Sequence, residues 1–317
     1  MAKTNGRSTK GKPTKKKKEP LTAKTADRHV LYQIAVQAPD FEVELLDRHF
    51  RRRVGRKPLS LREDFCGTAL LCSEWVKSDP KRTATGIDID RSVLAWGRKH
   101  NIAPLGDDAA RVTLIRGDVR EPREQPHDIV CAFNYSYWYF KDRATLRGYF
   151  EAVKKGLAPD GLFFIDLFGG YEAVQVLEEE RKYPGFRYVW HQAAFNPITH
   201  DFKAHIHFHF KDGSKIRPAF TYDWRMWTIP ELRELLEEAG FTDIECLWED
   251  EDEDGEGTGV FRPRTKVIND PAYNAYLVAG LRSARPKKRP AQRARGGPAA
   301  ARWSEVRRRV ARAHEPS

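Results

Sequence analysis

No apolar run in the 317 residues approaches the roughly 18 needed to span a bilayer as a helix, so a membrane-spanning reading is set aside. Cysteine is sparse: Cys66, Cys72, Cys131 and Cys246 form no C-x-x-C pair, which argues against a zinc ribbon, a redox dithiol or a disulfide framework. No secretory pattern with an apolar core precedes them, and the expectation is reduced thiols in a cytosol. Also missing is the G-x-G-x-x-G fingerprint that brings a backbone against a pyrophosphate. A nicotinamide-dependent oxidoreductase, the nearest rival among enzymes built on strands and helices, loses its main support.

What is present is enough apolar material, 40% of the chain, for one large domain or one domain with an insertion. The net charge of +11 is concentrated at the ends. Residues 1–28 hold ten Lys/Arg against Glu19 and Asp27, and residues 282–317 hold twelve against Glu305 and Glu315, so the body, 29–281, is left at −7. Both basic ends lack the apolar surface to offset their ordering entropy and are expected to be disordered. Such tails attract phosphate-rich polymers through a salt-sensitive term that reads no sequence, which makes nucleic acid a candidate partner beside the plainer reading of solubility or ribosome-proximal tails with no catalytic role.

Between the tails, strands and helices alternate. Ser60 to Phe65, Ala84 to Ile89, Val112 to Arg116, Ile129 to Phe133 and Leu162 to Leu167 read as buried strands. Helices are expected at Ala69 to Val76, Arg91 to His100 and Arg143 to Leu157. The pattern implies parallel pairing with helices on both faces, a doubly wound α/β sheet. In such a sheet ligands bind beyond the carboxyl ends of the strands. The stretch LREDFCGTALL, residues 61–71, follows the first strand, where Gly67 with Thr68 and Ala69 lets a ligand approach the start of a helix. Asp88, about twenty residues on, ends the second strand where a carboxylate can accept two ribose hydroxyls, and Asp118 ends the third, within reach of an exocyclic amine. Each also has a structural reading, Gly67 as a turn residue and the two aspartates as helix caps.

In this order the residues resemble the class I S-adenosylmethionine-dependent methyltransferase family. The resemblance covers roughly residues 40–281. Glu63, Gly67 and Thr68 in EDFCGT match its first motif, although Phe65 and Ala69 stand where glycines are usual. Asp88 with Ile89 matches the ribose-binding position, Asp118 with Val119 the adenine-contacting pair, and Asn134 in CAFNYSYW the motif that faces both methyl group and acceptor. The resemblance implies S-adenosyl-L-methionine as cofactor and a seven-stranded, mostly parallel, Rossmann-like sheet, with Thr242 to Trp248 and Tyr273 to Ala279 as its antiparallel sixth and seventh strands. It also suggests that Tyr32 and Gln33, on a helix before the first strand, close over the donor.

The segment 186–227 departs from that plan. FKAHIHFHFKDG alternates Ala204, Ile206, Phe208 and Phe210 with His205, His207 and His209, an amphipathic strand leading to a turn. We expect a small antiparallel insert that serves as an acceptor-site lid or dimer surface. Its three histidines lie roughly 7 Å apart along one strand, too spread for a tetrahedral ion, so they are read as a solvated face and no metal is expected. WEDEDEDGEGTGVF imitates the start of a calcium loop but has Phe261 where a bidentate glutamate is required, and it is expected to be a charged loop. Methyl transfer from a sulfonium needs alignment and dryness rather than a covalent nucleophile. Asn134 is the candidate at the reacting centre, and His191 is a conceivable base with a surface histidine as its other reading. The acceptor is expected to be a small molecule, with an RNA or ribosomal protein engaged by the tails as the alternative and a donor-binding module without turnover as a third reading.

Overall fold

A computed structural model describes residues 20–253, 255 and 257–281. The tail expectations for 1–19 and 282–317 lie outside the described residues. Within 20–28 the chain is packed rather than loose: Ala23 N donates to Ser214 Oγ at 2.9 Å, and Asp27 caps the helix α1 (Arg28–Ala35) while accepting Trp96 Nε1 at 2.7 Å. Helix α2 (Pro39–Val54) follows. It begins on proline, ends on Gly55 at φ 83°, and carries Asp40 and Glu42 in its first turn and three arginines in its last, so both ends of its dipole are complemented.

Then comes the alternation: β1 (Ser60–Asp64), α3 (Leu70–Lys77), β2 (Thr83–Asp88), α4 (Arg91–Gly97), β3 (Val112–Arg116), β4 (His127–Ala132), α5 (Arg143–Lys155) and β5 (Leu157–Gly169). A π-helical turn, Arg98–Ile102, extends α4. The five strands pair in parallel in the order β5-β4-β1-β2-β3, as the buried apolar runs imply. Further on are α6 (Ile229–Glu238), started by a Thr228/Glu231 capping box, and the antiparallel strands β10 (Asp243–Glu251), β11 (Gly257–Pro263) and β12 (Tyr273–Gly280).

The sheet therefore has eight strands, one more than the seven expected. The extra strand, β11, lies in the stretch read as a charged loop. Its hairpin with β10 closes because the charges find partners: Asp250 pairs with Arg262 and Arg264, and buried Glu249 accepts the Gly259 N–H at 2.7 Å. Apolar clusters fill both faces of the sheet, one around Tyr149, Phe163 and Leu235, the other around Phe50, Trp75 and Phe164.

Between β5 and α6 stands a second sheet of four antiparallel strands, β6 (Leu177–Tyr183), β7 (Phe186–Phe195), β8 (Asp201–Phe210) and β9 (Lys215–Arg225). The insert is thus longer by one strand than the 186–227 expected. Even-numbered residues of β7 and β8, among them Phe186, Tyr188, Ile206 and Phe208, pack with Leu31 and Ala35 of α1. His207 and His209 on the opposite face are buried, at 2% and 5% exposure, which corrects the expectation of a solvated histidine face. They sit mid-strand between two neighbouring strands, with Glu178 and Glu180 of β6 alongside.

Candidate active site

Because β1, β2 and β3 are parallel and adjacent, their carboxyl ends open on one side, with Glu63 opposite Gly86 and Asp88 opposite Arg116. The turn after β1 is forced into an unusual path. Phe65, Gly67 and Ala69 all have positive φ, at 56°, 53° and 55°. Two of the three positions where only glycine is at ease are therefore taken by side chains, a strain of roughly 1–2 kcal/mol each. Phe65 offsets part of it by packing its ring on Phe140 and Tyr149 at 5.7 and 5.8 Å.

Several groups hold this turn. Gly67 N donates to Asp88 Oδ2 at 2.8 Å, Asn101 Nδ2 donates to Thr68 O at 2.7 Å, and Gln33 Nε2 donates to Thr68 Oγ1 at 2.8 Å. Gly97 of α4 lies so close that a Cβ there would stand 2.4 Å from Thr68 O. Gly97→Ala is accordingly expected to cost about 1–3 kcal/mol of stability by overpacking and to push the turn out of shape. Gly148→Ala, on the open face of α5 with nothing near its Cβ position, is expected to add up to about 1 kcal/mol through helix propensity. Denaturant unfolding of the two variants checks both signs.

Glu63 is buried, and its Oε2 accepts Cys72 N at 3.2 Å and Cys72 Sγ–H at 3.0 Å in the first turn of α3. Burial dominates these bonds and raises its pKa to about 7. Asp88 accepts Asp90 N on its other oxygen at 2.9 Å, and each oxygen keeps a lone pair; burial raises its pKa as well. Asp118 sits two residues past β3, but Arg120 grips both its oxygens at 2.6 to 3.0 Å and holds its pKa down. Any ligand amine reaching Asp118 would have to share the carboxylate with Arg120 or displace it. Val119 beside it is buried, its carbonyl accepting from Arg62, which is itself paired with buried Asp64 at 2.7 Å. Ile89 is 70% exposed at the mouth.

Next to this cradle is a cavity of about 340 Å³, lined by Tyr32, Asn134, Tyr135, Asp166, Phe168, Trp190, Gln192, Tyr222 and Trp224 among others. It adjoins the strand-tip acids rather than enclosing them, the two compartments meeting at α1, where Tyr32 faces the cavity and Gln33 reaches Thr68, while Asn134, two residues past β4, lines the cavity. Asn134 and Tyr135 both have positive φ, at 57° and 58°, a conformation held by Asp166, whose two oxygens accept their N–H groups at 2.8 and 3.0 Å. Burial raises the Asp166 pKa to about 7 against those bonds. Glu172, Glu179, Glu249, Glu251 and Asp270 also line the cavity, against Arg181 as its cation.

The structure thus brings together Glu63, Gly67, Thr68 and Asp88, places Asp118, Val119 and Ile89 at the neighbouring strand tips, and sets Tyr32 and Asn134 on the wall of the cavity. His191 is not there. Trp190 and Gln192 on either side of it line the cavity, and alternation along β7 turns His191 to the opposite face, toward His205 and His207. Arg225 pairs with Glu231 at 2.9 Å. Asp166 went unnoticed because FFIDLF reads as a buried strand; an acid near its carboxyl end was the same signal that singled out Asp88.

The fold is one that S-adenosylmethionine-dependent methyltransferases of known structure share. An S-adenosylmethionine-dependent methyltransferase from Clostridium acetobutylicum superposes with a TM-score of 0.56 at 16% identity, covering 80% of this chain and 96% of that one. The CcbJ methyltransferase from Streptomyces caelestis gives 0.58 at 14% identity over 77% and 96%. CalS10, an amino pentose methyltransferase from Micromonospora echinaspora, gives 0.55 at 16% over 79% and 94%. In sequence, the chain is 29% identical over 132 residues to the malonyl-[acyl-carrier protein] O-methyltransferase of Halalkalibacterium halodurans, a stretch that spans 40% of this chain and 45% of that relative. No family profile matches.

Proposed function

We propose that the chain is a methyltransferase that uses S-adenosyl-L-methionine to methylate an amine on a small acceptor. The observation that carries this reading is the junction itself: a cradle of strand-tip acids opening beside an aromatic, acid-lined cavity, with α1 touching both through Gln33 and Tyr32. The cradle fits such a donor. Glu63 keeps Oε1 for an ammonium group, Asp88 keeps lone pairs for ribose hydroxyls, and nothing approaches the open side of Gly67 nearer than Val93 Cγ1, at 3.8 Å from its Cβ position. When bound, the cofactor supplies a methyl group on a sulfonium. The protein's own groups then do the rest. Asn134 and Tyr135 position the acceptor, the aromatic walls exclude water and favour a cation, and Asp166 takes the amine proton.

The similar proteins include, by name, a malonyl-[acyl-carrier protein] O-methyltransferase and an amino pentose methyltransferase. Charge favours the second kind. Six acids against one arginine around the cavity repel a carboxylate acceptor and attract an ammonium. Among the described residues no helix is long and apolar enough to cross a membrane.

The direct test incubates the protein with radiolabelled donor and a panel of small amines, carboxylates and RNA; transfer to a carboxylate or to RNA in preference to every amine overturns the acceptor assignment. A second expectation concerns pH. Glu63, facing Asp88, Asp64 and the Cys72 thiol, is half-protonated near pH 7 without ligand, yet must be ionised to receive an ammonium. S-Adenosylhomocysteine is therefore expected to bind about tenfold more tightly at pH 8 than at pH 6, and calorimetry at the two values decides it.

A further inference from the structure

The back of the cavity wall carries a cluster that methyl transfer does not use. On the face of the insert sheet turned away from the cavity, Glu178 of β6, His191 of β7 and His207 of β8 come from three neighbouring strands, and their ligating atoms all lie within 4.8 Å of one another. The separations are informative. His191 Nδ1 is 3.3 Å from His207 Nε2 and 3.5 Å from Glu178 Oε1. Ligands about 2.0–2.1 Å from a tetrahedral ion stand about 3.3–3.4 Å apart along its edges. We propose that Glu178, His191 and His207 form a site for a divalent transition metal, zinc foremost, with the fourth position open to water.

This is a different set from His205, His207 and His209, which one strand spreads too far. The antiparallel register supplies what spacing along the chain could not, by placing Glu178 opposite His191 and setting His207 diagonally across from it. His207 is 2% exposed and gives the site a buried floor, while Glu178 at the rim leaves a path in. Two imidazoles and one carboxylate are the donors that suit zinc, and leave a coordination position free. Arg217 donates to Glu178 and competes with an incoming cation for its Oε1.

Loading would tie β6, the edge strand, to β7 and β8. The residues next to the three ligands, Glu179, Trp190, Gln192 and Ile206, line the cavity on the other face, so the ion would stiffen the acceptor wall from behind.

The test takes the full chain after chelator treatment and titrates zinc by calorimetry, with cobalt as a spectroscopic substitute. One equivalent of zinc with a tetrahedral cobalt spectrum is expected. His191→Ala and His207→Ala should abolish both, His209→Ala should keep them, and Arg217→Gln should bind about tenfold more tightly through loss of a nearby positive charge. Zinc should also raise the unfolding midpoint of the parent and leave that of His191→Ala unchanged. Should buried His207 prove necessary for folding, half-buried His191 reads the same site. A parent that binds neither metal, or a His191→Ala variant that binds zinc as the parent does, overturns the proposal.

Discussion

Replacing Asp88 with alanine is expected to weaken S-adenosylhomocysteine binding about a hundredfold. Hydrogen bonds to a charged group contribute about 1.5–3 kcal/mol each when their partner is otherwise left without one, and every 1.4 kcal/mol is about tenfold in affinity. Asp88 also serves the turn itself, since its two oxygens hold the N–H groups of Gly67 and Asp90. The alanine variant therefore loses both the ribose contact and the shape of the cradle. Asp88→Asn keeps one acceptor and should lose only about tenfold. Calorimetry on both variants, with unfolding midpoints as a control, separates the two contributions. Equal affinity in the parent and Asp88→Ala would remove the ribose assignment, and the donor reading with it.

The second large effect belongs to Asp166. Asp166→Asn is expected to lower kcat by about 10² to 10⁴, the usual contribution of a positioned base, with little change in donor affinity because Asp166 lies on the cavity side. The sign of the pH dependence follows from its pKa, raised by burial from 3.8 to about 7. The carboxylate that accepts a proton forms above that value, so parent activity should rise through pH 7 and the variant should lose that limb. At a pH where the acceptor amine is already neutral, the variant should recover much of the difference. A purely structural role, through the N–H groups of Asn134 and Tyr135, would give a loss that pH does not repair. Stability runs the other way: the contribution of the protonated form is complete below pH 3.8 and is lost as pH rises through about 7.

The strand-tip acids were legible in the sequence because the information is local. Apolar runs separated by helical periods imply parallel strands, and parallel strands put Glu63, Asp88 and Asp118 on one edge whatever else the chain does. Other features depended on partners distant in sequence. The strand Gly257–Pro263 hides among acidic residues until Arg262 and Arg264 are seen to neutralise Asp250. His191 could be read as a base or as a surface histidine; the phase of the strand decides its face, and the register of β7 against β8 turns it away from the cavity. The glycine-poor turn is the instructive middle case. Phe65 and Ala69 do adopt the glycine-like conformation, and at Phe65 the packing on Phe140 and Tyr149 offsets part of the backbone cost, a tertiary contribution that the local sequence does not show.

Helix α1 touches both compartments within two consecutive residues. Anyone wishing to graft the four-stranded insert onto a related scaffold, in order to transplant its choice of acceptor, would have to move residues 28–35 with it. Left behind, the insert would lose the surface on which Phe186 and Ile206 rest, and the recipient's own leading helix would meet a wall it was not shaped for.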